Sequence, residues 1–472
     1  MVVEDIDVNQ TLAKARLILK EEKSLSPAFK AVFEVLILLV SLLANRLGLN
    51  SRNSHIPPSQ QALRHRRTKS PGRNKKPGGQ KGHPGSNLQR TDAPDAIEEI
   101  LIDRKTIPPG HYRSAGYESR QVFDMNVSLH VTEYRAEILE DSQGKRFVAD
   151  FPKNVSCATQ YGPEVKASSV YLSLFQLVPL SRVKEHFDHQ VGLPMSKGSI
   201  SNFNQEAYER LAPFEAWAKK QLLNSPLNHS DETGIRVNNK TFWLHTLVNS
   251  SVTFYHPDPK RGQEAIDRMG ILPQYRGTLC HDHWKPYYHY DALSHALCNA
   301  HHLRELERAY EQEAQTWAKK MQTLLLDLHQ EVEQSGGLLP NQKITDYRKR
   351  YRSILKKGET ECPAAPKILG KRGRTKQSFA RNLLERLKNF ENDTLRFMTS
   401  KDVPFTNNQA ERDLRMTKVQ QKISGCFRSL HGAEIFCRVR AFLSTCKKNN
   451  LSPTHALRNL FLGVLPDFIH DG

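Results

Sequence analysis

The chain has 472 residues, 38% of them hydrophobic, and carries 69 Lys+Arg against 50 Asp+Glu, a formal net charge of +19. That length suggests about three domains, with ample chain to bury a core. The charge excess selects a polyanionic partner, nucleic acid ahead of a membrane surface or an acidic protein. The seven cysteines include no CxxC pair, which argues against a disulfide framework and for reduced thiols in a cytoplasm-like compartment. The acidic, polar start MVVEDIDVNQ is not a signal peptide. The most apolar run, Val35–Ala44, is too short to cross a bilayer, so no membrane partner is expected.

Residues 1–59 read as helical, with a break near Ser26-Pro27. Phe33, Leu36, Val40, Leu43 and Leu47 follow the 3-4 spacing of a coiled-coil seam. Leu38, Leu39 and Leu42 lie off that seam, so this helix must bury against its own domain or a second copy.

Composition changes abruptly over residues 60–94. Between Gln60 and Arg90 there is no acidic residue, while Gly and Pro are dense. The stretch reads as a cationic linker whose Arg64, Arg66, Arg67, Lys69, Arg73, Lys75, Lys76 and Lys81 contact DNA phosphates. Residues 95–156 show four short strand patterns, AIEEILI, RQVFDM, SLHVTEYRAEIL and KRFVAD, hence a small β module. It holds no cysteine, and so no zinc is expected there.

Residues 157–226 turn helical. RVKEHFDHQVGLPMSKGSISNFNQ has helix-turn-helix grammar: a turn at Gly192, then Ser196 as the cap of a second helix. Lys197, Ser199, Ser201, Asn202 and Asn204 would face DNA; an ordinary helical hairpin is the alternative.

Residues 227–430 carry the strongest pattern. LNHSDETGI is a strand whose Asp231 and Glu232 should point to opposite faces. Asn238-Asn239 marks a turn; TFWLHTLV and VTFYHP give two more strands. GQEAIDRMGI is a helix, and GTLCHD is a fourth strand ending at Asp282. Three meandering strands, a helix and a strand open a ribonuclease-H-like α/β fold. Here a mostly helical insertion follows over about 296–400, with a basic loop holding Lys371, Arg372, Arg374 and Lys376. In PFTNNQAERDLRMTKVQQK a cap at Thr406, Asn407 or Asn408 starts a helix near Gln409. Glu411 heads a face continued by Arg415, Lys418 and Lys422, with Arg412 beside it. Residues 431–472 read as a helical tail.

Asp231, Asp282 and Glu411 are the candidate catalytic and metal-binding acids. Hard carboxylate oxygens suit two Mg²⁺ (or Mn²⁺) ions, which activate water or a 3′-hydroxyl and stabilise a leaving oxygen in phosphodiester chemistry. A rival zinc reading uses His281, His283, His289, His295, His301 and His302 with Cys280 and Cys298. Their spacing matches no compact zinc signature, and zinc is not expected. Arg412, Arg415 and Lys418 join Lys197 as candidate DNA contacts.

Several blocks, in order, resemble the DDE transposases of the bacterial IS66 insertion-sequence family. They are NSRNSHIPPS, PGGQKGHPG, TQYGPEVKA, PLSRVKEHFDHQVGLPMSKGSISN, HSDETG, CHDHWKPYYHY, LCNAHHLREL, FTNNQAERDLR and the tail GCFRSLHGAEIFCRVRAFLSTCKKNNLSP. The resemblance implies that Asp231, Asp282 and Glu411 form the DDE triad. It also implies an N-terminal helical dimerisation segment, a homo-oligomer, and action on inverted-repeat ends and target DNA at the bacterial nucleoid, with or without accessory proteins. Two departures stand out. The family commonly carries two CxxC pairs before the QYGP block; here the matching stretches PGHYRSAGY and ILEDSQGKR have no cysteine. Many relatives have a DGY-like motif at the second acid, where this chain has Asp282-His283-Trp284. The expected activity is DNA transposition; a decayed copy acting as a DNA-binding repressor and a structure-directed nuclease are the alternatives.

Overall fold

The computed structural model describes residues 2–3, 6–22, 24–54, 88–125, 127–366 and 375–469. The expected DNA contacts Arg64, Arg66, Arg67, Lys69, Arg73, Lys75, Lys76 and Lys81, and Lys371, Arg372 and Arg374 of the basic loop, lie outside the described residues. The chain divides into two compact units, one of Met1–Arg64 with Glu133–Gly472, the other of His65–Thr132.

In the smaller unit the strands expected at AIEEILI and RQVFDM do not form; its described residues hold one 3₁₀ turn, Arg104–Thr106, and no strand. Ile100 and Val122 are almost fully exposed. An alternating pattern becomes sheet only when one face has something to bury against, and these stretches have no such face.

The larger unit opens with a short strand pair, β1 (Val2–Val3) and β2 (Ile6–Asp7). Two helices follow, α1 (Val8–Glu21) and α2 (Pro27–Leu47), separated at the expected Ser26-Pro27 break. Ser26 caps α2 through the Phe29 N–H, and Pro27 occupies the first turn, where its missing N–H costs nothing. The helices form a hairpin joined by Arg16 to Ser41. It shelters the Ile37, Ser41 and Ala44 stripe, while the seam Phe33, Leu36, Val40, Leu43 and Leu47 stays exposed. At 21 residues, α2 is long and apolar enough, by length and composition, to cross a bilayer, which the shorter run Val35–Ala44 is not. Beyond it, Asn53 is buried, donating to Gly48 O and to Glu311 Oε2 (2.7 Å).

Of the β module expected over 95–156, one exposed hairpin remains in this unit, β3 (Ile138–Glu140) with β4 (Arg146–Val148). Four helices come next: α3 (Pro163–Val170), α4 (Leu180–His186), α5 (Lys197–Arg210) and α6 (Ala212–Leu223). The helix–turn–helix grammar is realised locally. A π-helical turn extends α4 to Gly192 at φ +71°, and Ser196 accepts the Ser199 N–H (2.9 Å) to start α5. Lys197, Ser201 and Asn202 are exposed. Asn204 is not a DNA contact: it is buried and accepts a hydrogen bond from Ser173 (3.1 Å).

A five-stranded mixed sheet follows, β5 (Leu227–Val237), β6 (Lys240–Val248), β7 (Thr253–Asp258), β8 (Thr278–His281) and β9 (Ser294–Leu297), in the spatial order β7-β6-β5-β8-β9. The first three strands are antiparallel; β8 and β9 run parallel to β5. Asn238 and Asn239 both adopt positive φ (46° and 58°), the two-residue turn that suits the twist of the β5–β6 hairpin. Helix α7 (Gln263–Met269) makes the crossover to β8.

The expected helical interval comprises α8 (Asn299–Glu313), α9 (Thr316–Gln334), α10 (Asn341–Glu361), α11 (Phe379–Asn389) and the short α12 (Glu391–Thr394). It has its own core around Trp317, Met321, Leu325, Tyr351 and Leu384, into which Cys280 and Ala296 of the sheet also pack. The chain returns through α13 (Asn408–Ser424), α14 (Leu430–Lys448) and α15 (Pro453–Phe461). The segment read as a tail is a core element: α14 lies on β7, burying Phe436, Val439, Phe442 and Leu443 in the core shared by the sheet and α3–α6.

Gly277, at the entry to β8, shows how tightly this sheet is built. A Cβ there would meet the Tyr275 hydroxyl and would stand 2.6 Å from Ser225 O. Gly277→Ala is expected to cost about 1–3 kcal/mol by overpacking. Gly198→Ala, in α5 with only an ordinary contact at 3.4 Å, should instead gain up to about 1 kcal/mol. Denaturant unfolding of both variants checks the pair; equal effects would show that the approach at Gly277 is not tight.

Candidate active site

Strand β5 is the point where the sheet changes from antiparallel to parallel. Its pairing with β8 covers only Leu227–His229 against Thr278–Cys280. Continuing the same register brings Asp231 level with Asp282, the residue just past the end of β8. Splayed strands at such a switch point leave a crevice at their carboxyl ends.

Helix α13 lies along this part of β5. At its start Asn407 does not cap the helix with its side chain, as the sequence suggests. Instead its Nδ2 donates to Ser230 O (2.7 Å), its Oδ1 lies 2.9 Å from His229 Nδ1, and its backbone N–H donates to Cys298 Sγ (3.1 Å). Further along, Lys418 Nζ donates to Gly234 O (2.6 Å). Past the helix, Phe427 pairs with the end of β5, exchanging backbone hydrogen bonds with Arg236 and Asn238. These ties fix Glu411, one turn into α13, opposite Asp231.

The three acids sense one another. Burial holds Asp231 well above the usual carboxylate range, and the charges of Glu232, Asp282 and Glu411 push it further. Asp282 is raised by burial and eased by the Trp284 N–H (3.1 Å), Arg261 and Arg386. Glu411 is raised by burial and by Asp282, against the pull of Arg304 and Arg415. A buried group of hard oxygen donors that resist joint ionisation fits a divalent cation, which would offset their repulsion.

Glu232 belongs to this cluster more closely than strand alternation suggests. It does leave Asp231 for the other face, since Tyr287 accepts from Ser230 (2.9 Å) and donates to Glu232 Oε2 (3.0 Å). Yet its charge reaches both Asp231 and Asp282. Arg261 holds its other oxygen at 2.7 Å and is itself stacked on Trp243 and Trp284, with centroids at 4.6 and 4.8 Å. Burial first, then Asp282, raises Glu232 despite that partner. Arg386, brought from α11, pairs with Glu305 of α8 and acts on Asp282. Sequence reasoning missed Arg261, Arg304, Arg386 and Tyr287. Only the adjacency of Trp284 and Tyr287 to Asp282 gave a local hint.

The other sequence candidates separate. Arg412 and Arg415 are exposed on α13; Lys418 is exposed but holds Gly234 O. His281 and His295 bond each other (3.0 Å) under Tyr288, and His302 bonds Asn299 (3.1 Å). Burial depresses His281 and His302 well below the ordinary range, so these are neutral packed rings. His283 adopts φ +73°, the left-handed region where glycine alone is unstrained. Its ring packs edge-on to Phe390 at 4.5 Å.

A family model described as Transposase IS66 family matches residues 158–435. A search of curated proteins finds no match.

Two stability measurements follow. Mg²⁺ should stabilise the wild type against unfolding by about 2.7 kcal/mol at a hundred times its dissociation constant. Asp231→Asn should be more stable than metal-free wild type and insensitive to Mg²⁺, because it removes the acid most strained by its neighbours. A metal response retained in the variant contradicts this. At His283, exchange for glycine should shift stability by less than about 1 kcal/mol, the relieved strain offsetting lost packing. His283→Val should cost about 1–3 kcal/mol; thermal unfolding distinguishes the two.

Proposed function

The chain belongs to the IS66 transposase family, and from that premise we propose that it is a DDE transposase. It binds the inverted-repeat ends of a mobile element, cuts the DNA and joins the freed 3′-hydroxyl to target DNA. What supports the reading is placement: Asp231 on β5 and Asp282 just past β8 come level at the sheet's switch point, α13 brings the part-buried Glu411 to the same strand, and their charges act on one another. The strand order β7-β6-β5-β8-β9, antiparallel then parallel, supports a ribonuclease-H-like core.

In this reading Asp231, Asp282 and Glu411 supply the oxygens that hold two Mg²⁺ or Mn²⁺ ions. Such ions, when bound, supply an activated water or 3′-hydroxyl and neutralise the leaving oxygen. The chain does the positioning. Asn407 fixes the separation of the Asp231 strand from the Glu411 helix. Trp284 donates its N–H to Asp282, and Arg261 and Tyr287 hold Glu232 aside. Arg415 and Arg412 on α13 and Lys197 on α5 offer exposed charges to phosphates, along with the basic stretch over residues 60–94. The exposed seam of α2 pairs copies into a homo-oligomer acting at the nucleoid.

The test is Mg²⁺-dependent cleavage of DNA carrying the element's own ends. The wild type should cut and produce joined strands. Asp231→Asn, Asp282→Asn and Glu411→Gln should each slow cleavage about a thousandfold, a barrier higher by about 4 kcal/mol, while still binding the ends. A wild type that binds without cutting would make the chain a repressor. Cut ends that are never joined would make it a nuclease.

A further inference from the structure

The first turns of α8 and α13 meet beside the acidic cluster. Asn299 N donates to Phe405 O (3.0 Å) and Asn407 N to Cys298 Sγ (3.1 Å), lacing the two helix starts together. There the Cys298 thiol, a ring nitrogen of His301 and a carboxylate oxygen of Glu411 all lie within 4.8 Å of one another. His301 Nδ1 is 3.9 Å from Glu411 Oε1. That carboxylate oxygen is buried and has no hydrogen-bond partner among the described residues.

Thiolate, imidazole and carboxylate are the ligands zinc takes, at about 2.3, 2.0 and 2.1 Å. Tetrahedral zinc with those bonds sets its ligand atoms roughly 3.3–3.6 Å apart. The three atoms are therefore within a small side-chain adjustment of a three-ligand site with one open position. The set differs in chemical character from the neighbouring acids: Asp231 and Asp282 offer hard oxygens, whereas Cys298 and His301 are softer donors. Glu411 stands in both sets. Access comes from the Glu411 side, since its side chain is 33% exposed while Cys298 is buried.

We propose that Cys298, His301 and Glu411 bind a borderline-soft divalent cation, Zn²⁺ foremost, which withdraws Glu411 from the carboxylate cluster and so restrains Mg²⁺-dependent activity. The competition rests on the role given to Glu411 above; the binding does not. The histidine-rich sequence around Asp282 concealed the set, because its third ligand comes from a helix far along the chain.

The test uses the intact protein and Co²⁺ as the probe. One equivalent should give a thiolate-to-cobalt absorption band that Zn²⁺ displaces and Mg²⁺ does not. Cys298→Ser should abolish the band, and His301→Gln should weaken Co²⁺ binding at least tenfold. Cys157→Ser, an exposed thiol elsewhere, should leave it unchanged. Thermal unfolding establishes that each variant is folded. In the cleavage assay, His301→Gln should keep Mg²⁺-dependent cutting and need at least tenfold more Zn²⁺ for inhibition. No band in the wild type, or a band that survives Cys298→Ser, overturns the site. Equal zinc inhibition of wild type and His301→Gln overturns the competition. A Cys298-dependent band in a protein that never cuts DNA leaves the metal site standing and removes the transposase reading instead.

Discussion

The side chain of Asn407 is the constraint on which the rest of the site depends. It is buried, and its amide bonds two consecutive residues of β5 while its backbone bonds the sulfur at the head of α8. One residue thus joins the carriers of Asp231, of Cys298 and His301, and of Glu411. The apolar contribution of α13 is small, since Ala410, Leu414 and Thr417 are its buried residues. The helix is held by hydrogen bonds more than by a stripe of large side chains. Each buried polar group left unpaired costs about 1–3 kcal/mol, so these bonds also forbid a slide of α13 along the strand. Asp413 reinforces the register, accepting from Thr253 (3.0 Å) and Lys448 (2.9 Å) and so tying α13 to β7 and α14.

With the helix fixed, four carboxylates are forced into a region that water reaches poorly. Their raised proton affinities are the electrostatic consequence of that confinement. The fold carries this unfavourable cluster by surrounding it with guanidinium groups that are themselves restrained. Arg261 is held between two indole faces, and Arg386 is paired with Glu305. Held in this way, the arginines temper the acids without closing over them. A cation bound among them would offset that repulsion.

Much of the core was legible in the sequence because its signals are local. The turn at Asn238-Asn239, the strand containing Asp231, the strand read as far as Asp282, which stops at His281, and the helix read from near Gln409, which starts at Asn408 without the side-chain cap, were signalled by alternation, turn residues and periodicity. What stayed hidden is what depends on distant partners. AIEEILI and RQVFDM have strand periodicity but no face to bury, and they form no strand. The C-terminal segment looks like an appendage in the sequence, yet α14 covers β7. Asn204 looks like a polar recognition residue, yet Ser173 draws it inward. Arg386 has no sequence signature and Asn407 reads only as a helix cap, since their partners, Glu305 and Ser230, lie on other elements.

The turn after Asp282 places a β-carbon-bearing residue in a conformation that suits glycine. His283 holds a left-handed backbone that costs such a residue about 1–3 kcal/mol. That conformation turns the chain so that the Trp284 N–H meets the Asp282 carboxylate and the indole lies against Arg261. Arg261 in turn holds Glu232. Relaxing His283 to an ordinary strand conformation would therefore release Asp282, Trp284 and Arg261 together. The imidazole recovers part of the cost by packing on Phe390 and Tyr288, contacts a glycine lacks. The strained turn orients the Asp282 carboxylate, and the packing of the imidazole offsets part of its cost.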